Sequence, residues 1–175
     1  MSLDSEIKKS IRDVPDFPKP GILFKDITPI FYDQALCSKI VDSFIAQMPQ
    51  APDAIIGIES RGFLFGMLMA NKLGKPFVLI RKAGKLPYKK IGFEYALEYG
   101  TSKIEMHEDA LKKDWKVVIH DDLLATGGTA EAAAQLVKQA DAQVIGFNFV
   151  VSLDFLKGKE KLNKHSNNII CLVNY

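Results

Sequence analysis

Short apolar strands alternating with helical patterns constrain this chain more than any other feature of its sequence. Ala54-Ile55-Ile56-Gly57-Ile58 is a nearly all-apolar strand, Phe63–Leu73 after it reads as a helix, and Pro76–Ile80 is a second strand of the same kind. The alternation resumes with a strand at Lys116–His120, an alanine-rich helix at Thr129–Ala140, a strand at Gln143–Val151 and a short last strand at Ile169–Val173. Apolar strands alternating with helices imply a parallel sheet covered on both faces. The chain is therefore expected to be an α/β protein with a central, mostly parallel sheet and helices on both faces. Such sheets bind ligands in the crevice beyond the carboxyl ends of their strands. The residues that carry chemistry should then follow strands.

The rest of the chain fits around that sheet. Leu3, Ile7 and Ile11 recur every four residues and suggest a short amphipathic helix. In Val14-Pro15-Asp16-Phe17-Pro18-Lys19-Pro20-Gly21 three prolines and a glycine exclude regular helix. Asp33 is placed to cap a helix carrying Leu36, Ile40, Val41, Phe44, Ile45 and Met48 on one face. Lys82–Lys90 is basic, is broken by Gly84 and Pro87, and reads as a loop; Phe93–Glu98 and Ser102–His107 flank Tyr99-Gly100-Thr101 as a hairpin. No repeat, low-complexity tract or linker divides the 175 residues, a length that suits one domain over residues 1–175 and buries about 70% of the unfolded surface.

Composition removes several functional classes. A formal net charge of +2 is too small to imply nucleic acid or membrane lipid as a partner. No apolar run approaches the roughly 20 residues of a membrane helix, and Met1–Ile11 is too charged for a secretory signal. Cys37 and Cys171 lie far apart without CxxC spacing and read as buried or free thiols of a reducing cytoplasm.

The most informative segment is Lys116–His120 running into Asp121-Asp122-Leu123-Leu124-Ala125-Thr126-Gly127-Gly128-Thr129, with a helix after it. The amides of Ala125–Thr129 precede or open that helix, so they are unpaired donors at its positive end, ready for a phosphate. Gly127 and Gly128 let the backbone close around the anion, while Thr126 and Thr129 add hydroxyls. Asp121 and Asp122 would repel a phosphate, so they suit something that needs acceptors, such as the vicinal hydroxyls of a ribose. A capped strand–helix turn with two solvated aspartates is the plainer reading, and the full pattern between strand and helix argues against it. A Walker-type loop needs a lysine after the glycines, which is absent, and no GxGxxG is present.

This segment resembles the phosphoribosyl pyrophosphate signature of the type I phosphoribosyltransferases, and Leu-Leu-Ala-Thr-Gly-Gly-Thr is similar to the wording of their adenine-specific branch. The resemblance assigns Ala125, Thr126, Gly127, Gly128 and Thr129 to the 5-phosphate, and Asp121 and Asp122 to the ribose. His120 stands where the family usually has an apolar residue. It reads as a strand-end histidine facing the sheet surface, with a pH-sensitive contact to the acids as the sharper alternative.

Four further segments match in register. Ile58-Glu59-Ser60-Arg61-Gly62-Phe63 could be no more than a surface salt bridge. Beside the first site it resembles the family's pyrophosphate loop, which faces Arg61 and the Glu59-Ser60 backbone to the leaving group and often carries a non-proline cis peptide, here Glu59-Ser60. Arg81-Lys82-Ala83-Gly84-Lys85-Leu86-Pro87 could be a solvated basic loop. It resembles the catalytic flap, flexible over about residues 82–100, and that implies Arg81, Lys82 and Lys85 near the pyrophosphate; Ala83 stands where relatives often carry another residue. Leu97-Glu98-Tyr99-Gly100 is similar to the box whose glutamate meets the imidazole edge of the purine. It makes Glu98 the candidate proton handler, or only an orienting group, with Arg61 and Lys85 as the other implied catalytic residues. Tyr95 and Tyr99 are loop packing or ligand contacts.

The last match, Phe17–Pro29, resembles the hood, about residues 12–30, that marks adenine enzymes. It implies that the Leu23 N–H and Lys25 C=O read adenine while Phe24 and Leu123 sandwich its ring. Relatives often have arginine at Lys25. Ile22 and Ile27 are expected to be plain core.

The resemblance implies transfer of the ribose-5-phosphate of phosphoribosyl pyrophosphate to adenine, giving AMP and pyrophosphate in purine salvage. It also implies a cytoplasmic homodimer, with Mg2+ carried by the substrate and no dedicated protein ligand for it. The tail after Lys157 supports only a dimer-stabilising or capping role. A sister enzyme for another purine is the nearest rival, and the hood argues against it. A non-catalytic sensor of phosphoribosyl pyrophosphate would be expected to have a degraded flap and an appended DNA-binding domain.

Overall fold

The computed structural model describes residues 1–96 and 100–175. The chain divides into two compact units, Met1–Ala46 and Gln47–Tyr175.

The first unit opens with α1, Leu3–Ser10, capped by the Ser2 side chain, which accepts from the Ser5 N–H. The proline stretch does more than exclude helix. β1, Arg12–Pro15, pairs antiparallel with β2, Leu23–Asp26, so that Val14 faces Phe24 and Asp13 faces Lys25. Asp16 closes the connection, accepting from the Gly21 N–H at 2.7 Å, and the Phe17-Pro18 peptide is cis. Neither strand has the length or alternation that would reveal it in the sequence. A 3-10 turn follows at Thr28–Tyr32, then α2, Gln34–Gln47. Asp33 caps α2 as expected, its carboxylate accepting from the Leu36 N–H at 3.0 Å. Of the two isoleucines expected in the core, Ile27 is buried and Ile22 is not, because the turn it ends holds its side chain outward at 44% exposure.

The second unit is built on a seven-stranded sheet ordered β5-β6-β4-β3-β7-β8-β9. These strands are β3, Ala54–Ile58; β4, Phe77–Lys82; β5, Lys90–Ala96; β6, Thr101–His107; β7, Lys116–Leu124; β8, Gln143–Ser152; and β9, Ile169–Asn174. The five from β4 to β9 run parallel, and the β5–β6 hairpin adds antiparallel to β4. This is the expected α/β sheet. Helices α3, Gly62–Leu73, and α4, Gly128–Gln139, cross from β3 to β4 and from β7 to β8. The two crossovers leave in opposite directions along the sheet, so right-handed connections put α3 and α4 on opposite faces.

The α4 face is filled by Ile56, Ile58, Val117, Ile119, Phe147 and Phe149 against Ala130, Ala133, Leu136 and Val137, all buried. The helix's alanines let it lie close to the bulky strand residues. On α3 the close approach is made by glycine. A Cβ at Gly62 would stand 2.8 Å from the His120 carbonyl oxygen, and one at Gly66 2.7 Å from the Phe77 ring. Among the described residues no helix is long and apolar enough to cross a membrane. A short helix, α5, Gly158–Leu162, precedes β9 and was not anticipated.

Candidate active site

Reversal of the winding direction between β3 and β7 leaves a crevice at their carboxyl ends, the usual ligand position in such a sheet. A cleft of about 510 Å³ opens there, a size that holds a small metabolite. Its walls are the segments the sequence singled out. Glu59, Ser60 and Arg61 come from the end of β3; Arg81, Lys82 and Lys85 from the end of β4; Asp121, Asp122 and Leu123 from β7; and Thr129 from α4. A smaller hollow of about 80 Å³ adjoins it, lined by Ala125–Thr129.

β7 continues to Leu124, four residues past the expected end. Asp121 and Asp122 are therefore strand residues with different environments. Asp122 is buried, and its Oδ2 receives the Arg61 Nε–H in a short ion pair. Asp121 lies beside it, its Oδ1 accepting from the Asp122 N–H at 2.9 Å. Burial pushes the Asp121 carboxyl well above the usual aspartate range, and the Asp122 charge adds to the rise. Arg61 pairs directly with Asp122 and acts on Asp121 only through its charge, which lowers the Asp121 pKa less than burial raises it.

His120 corrects its expectation. The ring does not face the sheet surface but is fully buried under α3, edge-on to Phe65 with centroids 6.4 Å apart. Because β7 runs on past it, position 120 is mid-strand, next to Asn148 of β8. Burial lowers its pKa to about 4, so the imidazole is neutral at physiological pH.

On the β4 side Glu59 contributes its side chain as well as its backbone. Its Oε1 accepts from Arg81 Nη2 at 2.8 Å and its Oε2 from the Lys82 N–H at 3.0 Å. The Arg81 hydrogen bond holds the Glu59 carboxyl below the usual range. Arg81 Nη1 donates to the Lys85 carbonyl at 3.0 Å. Its Nε is buried with no partner among the described residues, a donor that an anion in the cleft can satisfy. The Glu59-Ser60 peptide is cis, as the resemblance implied.

The loop before α4 has Gly127 at its N-cap with φ 79°, which glycine alone adopts without strain. The sequence reading missed what backs it. A Cβ on Gly158, the first residue of α5, would stand 2.3 Å from the Ala125 carbonyl oxygen, and one on Gly127 would stand 2.9 Å from the Gly158 carbonyl oxygen. Two glycine backbones touch there. The signal was Lys157-Gly158, inside a tail that carried no recognised motif. Tyr95 was left open between packing and ligand contact. It lines the cleft, and its hydroxyl lies 3.1 Å from the Thr129 Oγ1.

Leu23, Phe24 and Lys25 belong to the first unit, where Phe24 packs edge-on against Phe17 at 5.1 Å and Lys25 Nζ donates to Asp13 at 2.6 Å. Glu98 lies outside the described residues.

A family model described as the phosphoribosyl transferase domain matches residues 31–174. The chain belongs to the phosphoribosyltransferase family. A phosphoribosyltransferase of Cytophaga hutchinsonii, named adenine phosphoribosyltransferase, is 53% identical over 99% of this chain and 96% of its own. The crystal structure of the adenine phosphoribosyltransferase of Thermoanaerobacter pseudethanolicus superposes with a TM-score of 0.94 at 44% identity, over 99% of this chain and all of that one. The Saccharomyces cerevisiae enzyme, solved with D-2,5-dideoxy-2,5-imino-altritol 1,6-bisphosphate and adenine, gives 0.91 at 42% identity over 97% and 98% of the two chains. These phosphoribosyltransferases span Leu23–Lys25, which the family model does not.

Proposed function

We propose that this chain transfers the ribose-5-phosphate of phosphoribosyl pyrophosphate to adenine, releasing AMP and pyrophosphate. One observation carries the reading. The cleft at the sheet's reversal point and the hollow adjoining it bring together helix-opening amides, a carboxylate pair and a cationic turn, and phosphoribosyl pyrophosphate presents a phosphate, a diol and a diphosphate. The near-full-length relatives named as adenine enzymes support the choice of base.

Ala125–Thr129 hold the 5-phosphate through backbone donors and the Thr126 and Thr129 hydroxyls. Asp121 and Asp122 accept from the ribose hydroxyls. Arg61, Arg81, Lys82 and Lys85, with the Glu59-Ser60 backbone, take the pyrophosphate. As that group departs, positive charge grows on the anomeric carbon and negative charge on the leaving oxygen, and cations fixed near that oxygen lower the barrier. The Leu23 N–H and Lys25 C=O pair with adenine N1 and N6, Phe24 and Leu123 take its ring, and Glu98 receives or orients the proton on its five-membered ring. Flap closure keeps water from the activated sugar.

Among the described residues no three His, Cys, Asp or Glu side chains cluster at metal-binding spacing. A carboxylate pair beside a cationic turn fits an Mg2+ that arrives on the substrate, where it supplies charge to the pyrophosphate. α3 exposes Leu64, Met67 and Leu68 at helical spacing, a stripe that a second copy can cover with its own equivalent; it supports a homodimer. Free Cys37 and Cys171 suit the cytoplasm.

The test is to mix the protein with phosphoribosyl pyrophosphate, Mg2+ and each purine in turn. Adenine is consumed far faster than hypoxanthine, because a 6-oxo base inverts the donor and acceptor and such mismatches cost about 10⁴-fold. Equal turnover of hypoxanthine refutes the assignment.

A further inference from the structure

Glu105 of β6 is a buried carboxylate, 6% exposed, that no part of the proposed reaction uses. In the β4–β6 register it stands opposite Arg81, beside the turn Lys82-Ala83-Gly84-Lys85. Its Oε2 accepts from the Gly84 N–H at 2.9 Å. Gly84 has φ +80° with nothing within 4 Å of where a Cβ would stand, so the backbone conformation, not space, selects glycine there. The rest of the turn is tied as well: the Ala83 N–H donates to the Lys103 carbonyl at 3.0 Å and the Lys85 N–H to the Lys82 carbonyl at 3.2 Å. Arg81 closes the other side through its bond to the Lys85 carbonyl. Glu105 is the one side chain in this set whose own role is otherwise unexplained.

We propose that Glu105 is a positioning residue for pyrophosphate. By accepting from Gly84 it fixes the turn that carries Lys85. The inference rests on the assignment of that turn to the pyrophosphate end of the substrate.

Calorimetry separates the two ideas, with pyrophosphate and ribose 5-phosphate titrated separately into the parent protein and into Glu105→Ala, Glu105→Leu and Glu105→Gln. Loss of the acceptor in the Ala and Leu variants weakens pyrophosphate about tenfold, the scale of one hydrogen bond to a charged group. Ribose 5-phosphate, held at the other end of the cleft, changes less than about twofold on the same reasoning. Leu keeps the site filled if Ala folds poorly. Gln retains an acceptor oxygen and stays within about threefold of the parent, since a neutral hydrogen bond is the weaker kind. In turnover the KM for phosphoribosyl pyrophosphate rises while that for adenine holds. Unchanged pyrophosphate affinity in the Ala and Leu variants, equal weakening of both ligands, or a Gln variant as weak as Ala overturns the proposal. A parent protein that binds ribose 5-phosphate but not pyrophosphate overturns the site assignment instead.

Discussion

Gly158→Ala adds one methyl group behind the phosphate loop, and the structure sets how far the loop must move. The new Cβ would lie 2.3 Å from the Ala125 carbonyl oxygen and 2.8 Å from Leu124 Cδ1, against an ordinary contact of at least 3.4 Å. Leu124 can turn aside, but the Ala125 oxygen is backbone and can yield only by shifting the loop about 1 Å. That loop supplies the amides assigned to the 5-phosphate. A displacement of about 1 Å in a positioned group can cost on the order of 10²-fold, so the KM values for phosphoribosyl pyrophosphate and AMP should rise by about 30- to 100-fold. Pyrophosphate is assigned to the other end of the cleft, so its KM in the reverse reaction should hardly change. Overpacking of this kind costs about 1–3 kcal/mol, which lowers Tm by roughly 2–10 °C for a chain of this size. Steady-state kinetics in both directions with a thermal melt check each part. A lowered Tm with both phosphate-ligand KM values within twofold of the parent refutes the buttress, and so does equal weakening of all three ligands.

The two aspartates should respond with opposite signs. Asp121 keeps its proton in the folded state above 3.8, where the unfolded chain has lost it, so it costs stability as pH rises through that range. Asp121→Asn should therefore raise Tm at pH 7.5, with the gain gone below about pH 4, while Asp122→Asn breaks the Arg61 ion pair and lowers Tm; both should weaken phosphoribosyl pyrophosphate more than adenine, Asp122→Asn the more because it loses a charged acceptor. His120, lowered from 6.5 to about 4, binds its proton in the unfolded chain first, so stability is lost as pH falls through that window, by about 3 kcal/mol. Denaturant titrations at pH 7 and 4.5 should show that loss in the parent and not in His120→Leu. Glu98→Gln should cut turnover by about 10²–10⁴-fold if the carboxylate takes the proton, and near-parental turnover would leave it only an orienting role.

Legibility in the sequence followed the physical origin of each feature. The parallel sheet was readable because buried strands such as Ile55-Ile56 and Val117-Val118 must be apolar along their length. The loop opening α4 was readable because a helix start needs donors, glycines and hydroxyls within a few residues. β1 and β2 were not, since four-residue strands within a proline-rich stretch carry no alternation. The pairing of Arg61 with Asp122 and of Arg81 with Glu59 joins residues 61 and 22 positions apart, and only the register of β3, β4 and β7 brings them together. Gly158 and Glu105 act through contacts that leave no local pattern: one is a missing Cβ, the other an acid in an otherwise ordinary strand. His120 misled because the expected strand ends at that residue, four short of the actual end at Leu124, which makes a mid-strand position look like a strand end.

Of the cleft's two arginines, one is open to a change of partner and the other is fixed. Arg61 is 42% exposed on its side chain while its partner Asp122 is 8% exposed, so only the arginine end of the pair is open to water. A ligand oxygen can reach the arginine from solvent, and an exchange of partner would leave Asp122, which is buried, in need of donors. A ribose diol supplies them. Arg81 is the opposite case. Its side chain is 30% exposed and its partner Glu59 15%, and Glu59 also holds the Lys82 N–H while Arg81 holds the Lys85 carbonyl. Pulling Arg81 away would break a connected set of bonds, including one that shapes the turn itself. Arg81 is therefore suited to offer its remaining Nε to a ligand without moving, while Arg61 is suited to move. On the proposed assignment, binding of the pyrophosphate and recognition of the ribose would be linked through the Arg61–Asp122 pair, because the ligand group that draws off the arginine would also uncover the acceptor its own sugar requires.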